Sequence, residues 1–150
     1  MTQKNLILTV GLPRSGKSTW SRQTGVPMVN PDSIRLALHG QRYLALMEPY
    51  VWAMARTMVR ALFLSGHDTV ILDATNLDSG KRQMWLSKEW TCFYKVVETS
   101  EEECLRRAAL TDDEEIVPVI QEMALLDSSL NDMERITKID CLAEIPEVEI

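Results

Sequence analysis

Asn5-Leu-Ile-Leu-Thr-Val-Gly-Leu-Pro-Arg-Ser-Gly-Lys-Ser18 is the stretch that decides how this chain folds. Residues 5–10 form a mostly apolar run closed by a glycine, the pattern of a strand buried on both faces within a parallel sheet. Gly11 to Ser18 satisfies G-x-x-x-x-G-K-[ST] in full, and residues 17–24 read as a helix, so the loop sits between strand and helix as phosphate cradling requires. Gly11 and Gly16 permit backbone angles and close approaches that other residues resist. The loop amides, including those of Pro13's neighbours Arg14 and Ser15, then point at a phosphate, and the helix N-terminus adds its partial positive charge. On this pattern Lys17 reaches the β- and γ-phosphates, Ser18 ligates Mg²⁺ and Thr19 supports the α-phosphate.

Working outward, Val26–Asn30 reads as a second short strand and Pro31-Asp32-Ser33 as a helix start, with the helix running from near Ser33 to His39-Gly40. Leu44, Met47, Val51, Met54, Ala55, Met58, Val59 and Leu62 fall at helical spacing, predicting one long amphipathic helix over 43–65 whose methionines serve as core. Residues 69–73 give a third strand, 78–90 a helix and 92–98 a fourth strand. Helices over 101–110 and 114–130 follow, and Ile145–Ile150 is a candidate edge strand. Strands alternating with helices predict an α/β fold with a mainly parallel sheet of four to five strands, helices on both faces and a helical lid. Without repeats, low-complexity stretches or linkers, residues 1–150 read as a single domain, the lid spanning roughly 101–118.

The 150 residues are 45% hydrophobic and 25% charged, an ordinary globular composition. No apolar run approaches the ~20 residues of a membrane span, and the N-terminus lacks a signal-peptide pattern, so a cytoplasmic protein without membrane contact is expected. Cys92, Cys104 and Cys141 are odd in number and widely spaced, which disfavours a disulfide frame or zinc site. The net charge of −6 weighs against a general nucleic-acid coat but not against a small basic pocket gripping one strand end. The acidic runs 101–103 and 112–115 read as solvated faces. Trp20, Trp52, Trp85 and Trp90 take helical positions, with core packing the better reading for Trp20. His67 lies in a turn and His39 at a helix end; neither has metal-ligand company.

Asp32 and Arg35, three residues apart, share one helix face at the carboxyl edge of the sheet, where ligands of such folds bind. Asp32 there could accept a proton from an acceptor hydroxyl, or merely cap the helix. Arg35 could hold an acceptor phosphate in its bidentate fork, or be a surface residue. A guanine-reading Asn-Lys-x-Asp is missing, and Asp73 ends its strand without an acidic neighbour.

Residues 11–20 (GLPRSGKSTW), 30–35 (NPDSIR) and 73–77 (DATNL) together resemble the kinase domain of the phage-type 5′-polynucleotide kinases, whose blocks read G-x-P-G-S-G-K-S-T-W, N-x-D-x-x-R and D-x-T-N-L. The three blocks occur in the same order and span about half of the chain; the phosphate loop is generic and the other two are more diagnostic. The resemblance implies a kinase that uses ATP and Mg²⁺, with Asp32 as general base and Arg35 as clamp on the acceptor's phosphate. It also implies that Asp73, Thr75 and Asn76 shape the acceptor site, and Asp73 at its strand end suits support of Mg²⁺ through water. The family's lid arginines neutralise charge on the phosphoryl group. Arg107 matches the first; the second falls near Leu110 or Thr111 and is missing. Arg14, in place of a usual loop glycine, or Arg106 would have to supply that charge; the other reading of Arg14 is a solvent-facing loop residue. The implied reaction is transfer of the γ-phosphate to a hydroxyl on DNA or RNA, most simply a polynucleotide 5′-OH. Alternatives are a hydroxymethylated base such as 5-hydroxymethyluracil in phage DNA, a nucleoside or other small metabolite, or a nucleotide-binding switch without transfer.

Overall fold

A computed structural model describes residues 3–131, 134 and 135. Strands β1 (Asn5–Val10), β2 (Met28–Val29), β3 (Thr69–Leu72) and β4 (Thr91–Val96) form one sheet in the order β2-β3-β1-β4. Every pairing is parallel, with Asn5 opposite both Thr69 and Thr91, and Met28 opposite Ile71. All six β1 residues are buried because strands flank both edges and helices cover both faces. Alternation along β1 sends Leu6, Leu8 and Val10 into the larger core, with Val51, Ala55, Val59 and Phe63 of helix α3 (Glu48–Leu64). Ile7 points to the opposite face and packs with Trp20 of helix α1 (Lys17–Thr24), Ile71 and Phe93. Trp20 is thus core, as its position suggested. The α/β architecture read from the sequence is borne out, with four strands among the described residues.

Several boundaries differ, each for a local reason. β2 stops at Val29, and helix α2 runs Pro31–His39 rather than from Ser33, because the Asn30 side chain accepts hydrogen bonds from the Asp32 and Ser33 amides. Pro31, lacking an N–H, fits the first helical position. The helix expected over 43–65 is divided: residues 45–47 form a 3-10 turn, and α3 begins at Glu48 with Pro49 in its first turn.

The helix expected over 78–90 is only α4 (Ser79–Gln83). Trp85 and Trp90 are not on a helix; they enter the core from turns, tied by a 2.7 Å hydrogen bond from Trp90 Nε1 to the Trp85 carbonyl. Trp52 meets Trp85 edge-on at 6.4 Å and Phe63 stacks on Trp90 at 5.8 Å, so aromatic packing overrides the helical spacing. The last strand occupies 91–96 instead of 92–98. Helices α5 (Glu101–Leu110) and α6 (Ile116–Met123) complete the order, α6 being shorter than the expected 114–130. Cys104, Ala108 and Ile120 of these two helices pack with Leu12 of the phosphate loop, seating the expected lid against it.

Cys92 and Cys104 are buried free thiols. Cys141 and the candidate strand Ile145–Ile150 lie outside the described residues. Among the described residues no helix is long and apolar enough to cross a membrane.

Candidate active site

The carboxyl ends of β1 and β3 are stitched together before the phosphate loop begins. Thr9 Oγ1 donates to the Ala74 carbonyl at 2.7 Å, and the Gly11 amide donates to the Thr75 carbonyl at 3.0 Å. A Cβ on Gly11 would lie 2.9 Å from both Ser15 Oγ and the Val97 carbonyl oxygen, so the loop closes only around a residue without a side chain. Gly16 leads into α1 at φ 107°, a backbone angle that side-chain-bearing residues rarely adopt. The Thr99 hydroxyl holds the far side of the loop through the Ser15 carbonyl at 2.6 Å.

Lys17 is buried in this cradle, its Nζ donating to the Leu12 carbonyl at 2.6 Å and to Ser15 Oγ at 3.4 Å. Burial lowers its pKa to about 8, against an opposing pull from Asp73. An ammonium so placed is an incomplete charge, which a ligand phosphate completes. Thr19 is exposed on the first turn of α1, while Pro13 and Arg14 are half-buried.

Beside the loop, Ser18 Oγ donates to Asp73 Oδ2 at 2.7 Å, and Asn30 Nδ2 donates to the same oxygen at 3.1 Å. Asp73 is 3% exposed, and its other oxygen, Oδ1, is buried without a hydrogen-bond partner. A hydroxyl and a buried carboxylate oxygen with unused acceptor capacity, next to a phosphate cradle, are the oxygen set that a hydrated Mg²⁺ takes. The residues present therefore fit that ion, with Ser18 and Asp73 as the side chains that would hold it.

Asp32 and Arg35 do share a face: Arg35 Nη1 donates to Asp32 Oδ1 at 2.7 Å. Asn30 performs the capping, so Asp32's carboxylate is left to project, 79% exposed. Arg35 is not a loose surface residue. Its Nε and Nη2 donate to Glu48 Oε2 and Oε1 at 2.9 and 2.7 Å, and its guanidinium lies 5.8 Å over the Trp52 ring. Burial opposes the charge, but bonding to Glu48 and Asp32 more than offsets it and raises the Arg35 pKa. Bonding to Arg35 correspondingly lowers that of Glu48.

Thr75 is half-buried at the end of β3, its carbonyl engaged by Gly11. Asn76 takes φ 45°, and its side chain turns inward to donate to the Thr9 carbonyl at 2.8 Å. Its own carbonyl accepts from Arg82 Nη1 at 2.9 Å. The structure thus places Asn76 in the seam between β1 and β3.

At the lid, Arg107 Nη1 donates to the Arg14 carbonyl at 3.1 Å, bringing the expected lid arginine onto the phosphate loop. Arg14 itself takes φ 67° and reaches Asp113 in the α5–α6 connection at 2.7 Å. Arg42 grips the same carboxylate in bidentate fashion at 2.7 and 2.8 Å. Bonding to Arg42 first, and then to Arg14, holds the Asp113 carboxyl well below the usual carboxylate range. Arg106 is turned away, paired with Glu103 at 2.6 Å and largely exposed. Of the two substitutes considered for the second lid arginine, only Arg14 lies at the loop. Glu48, Arg42 and Asp113 were not found by sequence reasoning. Glu48 fell within the helix expected over 43–65 and Asp113 within a solvated acidic run, while Arg42 lay between two expected helices, and only the fold brings their partners to them.

Residues 6–135 match the family described as an AAA domain. A chain in the structure of a Pnkp1/Rnl/Hen1 complex is 29% identical, with a TM-score of 0.64 over 71% of this chain and 40% of its own length. A chain in the Pnkp1/Rnl/Hen1 RNA repair complex is 22% identical, with a TM-score of 0.61 over 82% of this chain and 46% of its own. A gluconokinase from Sinorhizobium meliloti 1021 is 15% identical, with a TM-score of 0.58 over 92% of this chain and 82% of its own. The last two likenesses concern the fold alone. The present chain spans less than half of either complex-derived chain. The expected P-loop kinase-type fold is borne out.

Proposed function

The chain belongs to the AAA-domain family, and from that premise we propose that it is an ATP-dependent kinase that moves the γ-phosphate to a hydroxyl on nucleic acid, most simply a polynucleotide 5′-OH. The observation that carries the reading is the Asp32–Arg35 pair at the end of β2. Asp32 follows two residues after Asn30, which itself bonds Asp73 beside Ser18. A projecting carboxylate is thereby fixed next to a phosphate cradle.

In the proposed reaction, Lys17 and the loop amides hold the donor's phosphates, with Arg107 closing from the lid. Ser18 and Asp73 would hold a Mg²⁺ ion, which would neutralise charge on the phosphate oxygens. Asp32 accepts the acceptor hydroxyl's proton as that oxygen bonds to the γ-phosphorus and the bond to the ADP oxygen breaks. The products are ADP and a phosphate monoester. What supports a nucleic-acid acceptor is the 29% identity to a chain of a Pnkp1/Rnl/Hen1 complex, an assembly described in the second such structure as an RNA repair complex. The net charge of −6 favours a second reading, a small hydroxyl metabolite as acceptor.

Asp32→Asn is the direct test of the assigned base. The variant is expected to bind ATP within about twofold of the parent and to lose transfer by at least ~100-fold, within the usual worth of a general base. Undiminished transfer by this variant would remove Asp32 from the mechanism.

A further inference from the structure

Besides the edge of Nη1 and Nη2, Arg35 has a second edge able to grip an oxyanion with two parallel bonds, formed by Nε and Nη2. Glu48 fills that edge, with both carboxylate oxygens in place at 2.9 and 2.7 Å. The remaining nitrogen, Nη1, is committed to Asp32, and Trp52 lies under the guanidinium face. The Arg35 and Glu48 side chains are 14% and 16% exposed, so the pair is sheltered from solvent screening on most sides. Carboxylate and phosphate present the same paired oxygens to an arginine fork. Glu48 therefore occupies the edge that Asp32 leaves untouched, where a phosphate of the acceptor would bind with two parallel bonds.

We propose that Glu48 is a specificity-determining residue that competes, as a built-in anion, with an acceptor phosphate for the Arg35 fork. The proposal rests on the reading of Asp32 and Arg35 as the acceptor side of the site. Glu48 starts α3 while Arg35 belongs to α2, so releasing the fork requires the Glu48 side chain to swing off the end of its helix, with no rearrangement of the sheet. Asp32 stays tethered through Nη1 in either arrangement. An acceptor bearing a phosphate next to its hydroxyl must displace Glu48, whereas an acceptor without one binds beside an undisturbed pair. Glu48 thus penalises phosphate-bearing acceptors and leaves phosphate-free ones unaffected, which sets the ratio between the two.

The size of the penalty follows from the fraction of molecules in which the fork is open, since the apparent dissociation constant is the intrinsic one divided by that fraction. For an ion pair worth about 1 kcal/mol the penalty is roughly fivefold. The experiment measures equilibrium binding of a nucleoside 3′-phosphate and of the matching nucleoside to the parent, Glu48→Gln and Glu48→Asp, with thermal melts to confirm folding. Binding, not turnover, is read, so the result stands whether or not either compound is phosphorylated. Glu48→Gln is expected to bind the 3′-phosphate about fivefold more tightly than the parent while nucleoside binding stays the same. Glu48→Asp, too short to span both nitrogens from the same backbone position, is expected to change in the same direction. A folded Glu48→Gln that binds the 3′-phosphate no better than the parent, or that tightens on both ligands equally, overturns the proposal. Loss of the Asp32→Asn effect on transfer, by contrast, would overturn the underlying reading of the site.

Discussion

Lys17 shows how a single residue can carry both the motif and a measurable signature. Its ammonium is buried among a carbonyl, a hydroxyl and Asp73, and desolvation brings its pKa down to about 8 from an ordinary value near 10.4. The sign of the pH effect follows. Below pH 8 both folded and unfolded chains hold the proton; between about 8 and 10.4 the unfolded chain holds more, so this residue's contribution to stability rises with pH across that window. Phosphate binding favours the charged form and restores the proton. ATP binding is therefore expected to take up a fraction of a proton at pH 8.5 and less at pH 7, with affinity falling as pH climbs through the Lys17 pKa. Calorimetry in two buffers of different ionisation enthalpy reads the uptake directly, and none at pH 8.5 would contradict the buried environment. The motif made Lys17 legible from sequence because its neighbours are consecutive. Glu48 was not legible, since its meaning depends on Arg35, thirteen residues away across a helix junction.

Among the elements, the strands were the most readable and the middle helices the least. β1 announces itself because both its faces are buried, leaving a continuous apolar run. The stretch 78–90 shows why helical spacing misleads: its apolar positions serve a core reached from turns, and α4 ends at Gln83. What holds α4 is Arg82, a fully buried cation. It donates to Glu134 through Nε at 2.8 Å and to the carbonyls of Asn76 and Ser129 at 2.9 and 3.0 Å. One side chain thereby ties α4 to the Asp73–Asn76 corner and to the segment after α6. Arg82→Met is expected to destabilise the fold by about 3 kcal/mol, because it strips a buried carboxylate and two carbonyls of charged donors. A urea midpoint series measures this; a loss below about 1 kcal/mol would show that the network contributes little.

For the molecule as a whole, the sheet order places the ends of β1, β2 and β3 side by side and so assembles residues 11–18, Asn30, Asp32 and Asp73 at one edge. That assembly was expected, since parallel α/β sheets collect ligand-binding residues at their carboxyl edge. Closure of the site could not be read so fully. The lid meets the loop through packing on Leu12, through Arg107 to the Arg14 carbonyl and through Asp113 to Arg14, with Arg42 on the same carboxylate, and the acidic run containing Asp113 has the composition of a solvated face. The central claim joins this donor site to a hydroxyl acceptor on nucleic acid. Its most direct measurement incubates the protein with γ-labelled ATP and Mg²⁺ and, in separate reactions, with 5′-OH oligonucleotides of DNA and RNA, hydroxymethyl-base DNA, nucleosides and gluconate. The account predicts label on the 5′ ends of the oligonucleotides; label confined to the small molecules would contradict it.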